Sequence, residues 1–302
     1  MSVFDHLIAK TLPFIPKQIV GQVSKRYIAG TTFADAVRVI RNLNHKAMMA
    51  TLDILGEHIS EKKAALQVRS EWESVIGKIP GEGLNTNISV KLTQLGLQID
   101  TEFCYDNLRN LVEKAEAAKN FVRIDMEDSS TTDRTLDLYR RLRAEGHTNI
   151  GVVLQAYMRR SEQDARELIA MGANFRLCKG IYREPESIAY QGKDEVRKNF
   201  LHLLAMMVDG GSYVGIATHD DLLIEGSYEL LAKKNLKWDR YEFQMLLGVK
   251  EAKRNAIVSD GHRLRVYVPF GEQWYAYSVR RLKENPQIAG YIARALLQPR
   301  RS

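Results

Sequence analysis

Eight short runs of apolar and β-branched residues recur along the chain, at 48–54, 87–91, 121–125, 151–155, 174–178, 214–218, 242–246 and 264–268. Runs of this length, bounded by turn residues, predict strands. Most are followed by stretches with apolar positions at helical spacing, as at 103–119, 133–146, 161–172 and 193–209. Gly146 and Gly172 sit where helix C-termini are expected, and Ser161 with Asp164 resembles a capping box in which Asp replaces the usual Glu or Gln. Repeated strand–helix units predict an α/β protein with a parallel sheet, and eight of them predict a closed (β/α)8 barrel. A doubly wound open sheet is the runner-up, but no GxGxxG follows a strand. Residues 1–45, with helical patterns at 17–28 and 33–43, read as an N-terminal helical cap, and 46–302 as the barrel.

In such a barrel the active site lies at the C-terminal ends of the strands. The last residues of the eight runs are Asp53, Lys91, Asp125 with Glu127 and Asp128, Gln155, Arg176 with Lys179, Thr218 with His219 and Asp220, Gln244, and Tyr267. Each has an ordinary explanation taken singly: a surface lysine, an aspartate capping a helix, a satisfied core histidine. Taken together they exceed what a structural rim needs. In Arg176-Leu177-Cys178-Lys179-Gly180, alternation sends Arg176 and Cys178 to one face and Leu177 and Lys179 to the other. Cys178 then reads as a small hydrophobe, and Gly180 lets the backbone turn sharply or approach a ligand. Two cations at one strand end fit an electron-rich cofactor such as a flavin with its pyrophosphate. Beyond the eighth run, Tyr277, Arg280, Arg281 and Glu284 fall at i, i+3, i+4 and i+7, one face of a helix. A solvated helix with Glu284 paired to Arg280 or Arg281 is the plain alternative. An aromatic in the same stripe as two guanidiniums favours a small anionic ligand instead.

Composition narrows the classes. The chain has 302 residues and a formal net charge of +7, without a basic tract interleaved with aromatics, so nucleic acid is not an expected partner. No run of about 18 apolar residues predicts a transmembrane helix, and residues 1–20 lack the basic start of a signal peptide. Cys104 and Cys178 without CxxC spacing argue for a reducing compartment, hence a cytoplasmic location. None of His147, His202, His219 or His262 has a partner at metal-ligand spacing, so no metal is expected.

Nine segments carry a resemblance. They are Arg26-Tyr27-Ile28-Ala29-Gly30, Leu52-Asp53-Ile54-Leu55-Gly56-Glu57, Ser89-Val90-Lys91-Leu92, Ile124-Asp125-Met126-Glu127, Gln155-Ala156-Tyr157, Arg176 to Tyr182, Ala217-Thr218-His219-Asp220, Tyr241 to Leu246, and Tyr277 to Asn285. In this order they resemble the FAD-dependent proline dehydrogenases over most of the chain. The resemblance implies a distorted (β/α)8 barrel with its last helix over the strand ends. It implies that Arg280 and Arg281 hold the carboxylate of L-proline, with Lys91 as a third cation, while Tyr267, Tyr277 and Leu246 pack on the pyrrolidine ring. Asp125 and Arg176 match active-site positions, Arg176 near the flavin N5. Met126, Gln155, Lys179, Gly180, Ile181, Thr218 and His219 match contacts to FAD, and Glu284 touches the cofactor or braces the arginine pair.

The activity so implied is oxidation of L-proline to Δ1-pyrroline-5-carboxylate, with electrons passing to a membrane quinone. Peripheral contact with the inner face of the cell membrane is implied with it, as is transient contact with a separate pyrroline-5-carboxylate dehydrogenase. Ile181-Tyr182-Arg183 departs from the family, where many members have a smaller residue and then Tyr-Trp. Because the sequence ends soon after the arginine helix, the resemblance leads to the expectation of a chain without the aldehyde dehydrogenase domain of the bifunctional relatives. Rival activities are oxidation of hydroxyproline or another cyclic imino acid, and a Schiff-base aldolase using Lys179 or Lys91.

Overall fold

The structure, a computed structural model, describes residues 20–21, 24–56, 59–275 and 277–279. Eight strands form a closed barrel in chain order: β1 Met49–Ile54, β2 Thr86–Val90, β3 Val122–Ile124, β4 Ile150–Gln155, β5 Asn174–Cys178, β6 Tyr213–Ala217, β7 Tyr241–Leu246 and β8 Leu264–Phe270. Each is parallel to the next, and β8 closes on β1. Every predicted run falls on one of these strands. Helix α1, Phe33–His45, precedes β1. The helices between successive strands are α2 Lys62–Glu82, α3 Thr101–Ala117, α4 Ser129–Ala144, α5 Ser161–Ala170, α6 Lys193–Asp209, α7 Asp221–Lys233 and α8 Glu251–Ser259.

The strands alternate, and this decides what the barrel contains. Leu52, Ile88, Ile124, Val152, Leu177, Ile216, Phe243 and Val266 are almost wholly buried in one apolar core shared with the helices. The intervening residues include Asp53, Ser89, Arg123, Asp125, Arg176, Glu242, Gln244, Arg265 and Tyr267, and they meet one another across the interior. Arg176 on β5, for instance, donates to Ser89 on β2 at 3.2 Å. Parallel strands covered on both sides are usually apolar on both faces. Here the inner face is polar, and because unpaired buried charge is costly the interior groups are paired. Arg123 spends its Nη1 donors on the carbonyls of Val152 at 3.0 Å and Asn174 at 2.7 Å.

Helix ends follow local chemistry. Thr32 and Asp35 form a reciprocal capping box on α1, and Asp100 and Asp128 cap α3 and α4. Gly146 and Gly172 adopt φ of 96° and 65° just beyond α4 and α5, as expected for helix stops. The capping box expected at Ser161 does not form. The cap of α5 is Arg160, Ser161 Oγ donates instead to the Gln155 carbonyl at 2.6 Å, and Asp164 pairs with Arg160 at 2.8 Å. The short hydroxyl side chain meets a nearer acceptor at the strand end, and the arginine claims the carboxylate.

Helix α1 packs on β8 and β1. Of the helical pattern expected at 17–28, residues 20, 21 and 24 are helical and 25–27 form a turn, while 17–19 and 22–23 lie outside the described residues. Ile28 clusters with Leu55 and Tyr277, which brings the segment just before α1 and the segment after β8 to one end of the barrel. No helix among the described residues is long and apolar enough to cross a membrane.

Candidate active site

A cavity of about 670 Å³ opens at the C-terminal ends of the strands, a size ordinary for small-molecule sites. It gathers Lys91, Asp125, Met126, Gln155, Arg176, Lys179, Gly180, Ile181, Thr218, His219, Leu246, Tyr267 and Tyr277. The remaining expected site residues, Arg280, Arg281 and Glu284, lie outside the described residues.

Asp125 is the hub. Its Oδ1 accepts from Ser89 Oγ and from Arg176 Nη1, both at 2.5 Å, and its Oδ2 accepts from the Tyr267 hydroxyl at 2.7 Å. Lys91 Nζ stands 3.8 Å from Oδ2. Burial opposes the charge on Asp125, but Arg176 and then Lys91 outweigh it and hold the carboxyl below the usual aspartate range. The Tyr267 phenol goes the other way. Burial and the carboxylate of Asp125 push it well above the ordinary tyrosine value, so it donates and stays neutral.

Lys91 is anchored by Asp53 at 2.5 Å, with Tyr267 OH at 3.4 Å. Burial opposes its charge, but the carboxylates of Asp53 and Asp125 outweigh burial and raise its pKa. Asp53 and Ser89 are thus part of the site, although the sequence reading gave neither a role there. The signal was present: both lie in the segments that carry the resemblance, and they stand side by side in register on β1 and β2. Glu127, also at the rim, accepts from the Thr93 backbone at 3.1 Å and hydroxyl at 2.6 Å and so fixes the loop after β2.

The other half of the mouth is built from the ends of β4 to β7. Lys179 pairs with Asp220 at 3.0 Å, and Arg197 reaches the same oxygen at 3.0 Å. Strict alternation would have turned Lys179 away from Arg176, but β5 ends at Cys178 and the chain turns, so both line the cavity. Cys178 lines it too, half-buried at the strand end. His219 Nε2 accepts from the Leu246 backbone at 2.9 Å, which puts the proton of the neutral ring on Nδ1. Gln155 donates to the carbonyls of Met126 at 3.4 Å and Glu127 at 3.3 Å.

Gly180 has φ of +104°, and a Cβ there would lie 2.1 Å from the Tyr157 ring. Gly180→Ala is therefore expected to lower stability by about 1–3 kcal/mol through backbone strain, with further loss from the ring contact. A thermal melt checks this, and an unchanged Tm would show that the ring moves aside freely.

These features suit a flavin. Arg176 and Lys179 supply positive charge, Met126, Val153 and Leu246 supply apolar wall, and Gly180 keeps one edge free of side chain. Among the described residues no group of three or more His, Cys, Asp or Glu could hold a metal ion.

Fold and mouth together define a (β/α)8-barrel protein with a charged small-molecule site at the strand C-termini. The sequence model of the family described as proline dehydrogenase matches residues 36–294. The chain is 35% identical over 275 residues to proline dehydrogenase 1 of Bacillus subtilis, covering 91% of each chain. It is 31% identical over 288 residues to the proline dehydrogenase of Deinococcus radiodurans, covering 94% of this chain and 93% of that one. Among solved structures it is similar to proline utilization A (PutA) of Bdellovibrio bacteriovorus inactivated by N-propargylglycine, with a TM-score of 0.83 and 26% identity; the match covers 90% of this chain and 34% of that one. The chain belongs to the proline dehydrogenase family.

Proposed function

We propose that the chain oxidises L-proline to Δ1-pyrroline-5-carboxylate with FAD as its resident cofactor and passes the electrons to a quinone. The observation that carries this reading is the hub at Asp125, where Arg176 from β5, Tyr267 from β8 and Lys91 from the end of β2 converge on one buried carboxylate at the end of β3. Bound FAD supplies the acceptor for the hydride that leaves the ring carbon beside nitrogen.

The protein's own residues have three tasks. Lys91, kept protonated by Asp53 and Asp125, attracts the substrate carboxylate, and the guanidiniums of Arg280 and Arg281 give it directional, bidentate contacts. Tyr267, Tyr277 and Leu246 form the wall against the pyrrolidine ring and exclude water from it. Arg176, held at the hub, offers positive charge where electron density arrives. Met126, Gln155, Lys179, Gly180, Ile181, Thr218 and His219 hold the cofactor, and Glu284 contacts it or steadies the arginine pair. The first test is the visible spectrum of the purified protein. Absorption near 450 nm that bleaches on adding L-proline supports the reading; a colourless protein that releases no flavin on denaturation sinks it.

The Schiff-base alternative fares worse on this geometry. A nucleophilic lysine must lose its proton, and Lys91 is ion-paired to Asp53 at 2.5 Å with its pKa raised. Lys179 is likewise paired with Asp220.

Arg281→Met is expected to raise the KM for L-proline by about tens-fold while leaving flavin bound, since a lost charged hydrogen bond to a buried carboxylate costs about 2–5 kcal/mol. Unchanged kinetics in a flavin-replete variant would exclude that role. Delivery of electrons to a membrane quinone, with peripheral contact at the inner face of the cell membrane, accords with the net charge of +7. Binding to anionic vesicles at low salt tests it, and transient contact with a separate pyrroline-5-carboxylate dehydrogenase is tested by product transfer between the two enzymes.

A further inference from the structure

From Gln244, at the cavity wall, the barrel interior continues below the mouth as a second set of hydrogen bonds that the reaction as described does not use. Glu242 and Gln244 stand two apart on β7 and therefore share its inner face. Gln244 Oε1 accepts from Arg176 Nε at 2.6 Å, and Gln244 Nε2 donates to Glu242 Oε1 at 2.6 Å. Glu242 is itself clamped. Arg265 donates to it through Nε at 2.6 Å and Nη2 at 3.1 Å, and the Tyr213 hydroxyl donates to Oε2 at 2.8 Å. Arg265 is fixed in turn by the Ala50 carbonyl at 2.7 Å and the Asn87 side chain at 3.2 Å.

This order of bonds has a directional consequence. A primary amide has a donor end and an acceptor end of nearly equal size, and only its neighbours decide which way it points. The Glu242 carboxylate demands the NH2 end, so the carbonyl end must face Arg176. The guanidinium is then held along two edges, by Gln244 at Nε and by Asp125 and Ser89 at Nη1. Two edges fix the plane of a rigid fork, and the remaining nitrogen takes no part in these bonds. Space for the arrangement comes from β6, where a Cβ on Gly215 would lie 2.3 Å from Gln244 Nε2.

We propose that Gln244 is a positioning residue whose amide, oriented by Glu242, fixes the plane in which Arg176 presents its charge to the mouth. The proposal rests on the reading of Arg176 as an active-site cation. Without Gln244 the guanidinium keeps its Asp125 bond but can rotate about it, so substrate still binds and the reacting centre loses its aligned charge.

The test uses the flavin-loaded protein with Gln244→Met and, as a variant that leaves Gln244 in place, Gly215→Ala. In wild type, one arginine Nε–H resonance, assigned by its disappearance in Arg176→Lys, should exchange slowly with solvent. In both variants it should exchange fast, kcat for L-proline should fall about tenfold or more, and KM should stay within about threefold. A slow Arg176 resonance with unchanged kcat in a folded, flavin-replete variant overturns the proposal, even if Tm has fallen, because that is what a purely structural role would give. Arg176→Met separates the layers: if it leaves proline oxidation intact, the reading of Arg176 itself has failed, whereas impaired Arg176→Met beside normal Gln244→Met refutes only the positioning role.

Discussion

Asp125→Asn should lower kcat/KM for L-proline by about 10²–10³-fold, the largest catalytic loss expected of a single isosteric change in this mouth. The carboxylate accepts from Ser89, Arg176 and Tyr267 and faces Lys91. An amide of the same shape has only one acceptor end. Its NH2 must face either Ser89 with Arg176 or Tyr267 with Lys91, so donors are turned away on one side, while Arg176 and Lys91 lose one of the two charges that balance them. Removing one member of a buried ion pair costs about 3–5 kcal/mol, and because Arg176, Lys91 and Tyr267 line the cavity, much of that cost should appear in the reaction.

The acid side of stability should change as well. The Asp125 carboxyl is depressed in the folded state, so its contribution is present above the unfolded aspartate value and is lost as pH falls through the lower folded value. Asp125→Asn has no such contribution to lose, and the gap in stability to wild type should narrow on acidification. Steady-state kinetics with denaturant melts at several pH values measure both effects. A variant with wild-type kcat/KM would remove Asp125 from the mechanism.

Glu242→Leu should be the most destabilising change, by about 3–5 kcal/mol near neutral pH, because it strands the Arg265 guanidinium in the barrel interior. Burial opposes the Glu242 charge, but Arg265, with hydrogen bonds from Arg265, Tyr213 and Gln244, outweighs it and holds the carboxyl down at about 2. The direction of the pH effect follows from this depression. The ion pair contributes fully above the unfolded carboxyl value of 4.5 and is lost as pH falls toward 2. The difference between wild type and Glu242→Leu should therefore be flat from neutrality to about pH 5 and shrink below it. A Tm within a degree of wild type would show that the interior pair adds nothing net. Glu242→Gln, which keeps shape and some donors satisfied, should lose less.

The eight strands were legible because each run combined an apolar outer face with short length and a clear turn, and 193–209 was legible to its ends. The mouth was legible for a different reason: strand C-termini collect side chains that a barrel must place together, so Lys91, Asp125, Arg176 and Tyr267 could be grouped before any coordinates. What sequence could not supply was partner choice. The Ser161 hydroxyl could accept from a helix N–H or donate to a carbonyl, and it donates to the Gln155 carbonyl at the strand end. Lys179 was sent to the wrong side because alternation holds only while the strand lasts, and β5 ends one residue earlier. Gln244 was visible as a polar strand end, but its use depends on Glu242, Arg265 and Gly215, which meet only when three strands are in register.

Helix α1 contributes nothing to the lining of the cavity, yet it lies across the junction of β8 and β1. That junction is where the ring is completed, and it joins segments more than two hundred residues apart: Met49 is in register with Arg265. The Lys91–Tyr267 contact spans 176 positions along the chain. Such distant pairings must overcome the entropy of closing the long loops between them. The mouth thus depends on closure of the ring and is not inherited from any local unit. The segment before the first strand acts as the clasp of that ring, so weakening α1 would open the site from a place that no ligand touches.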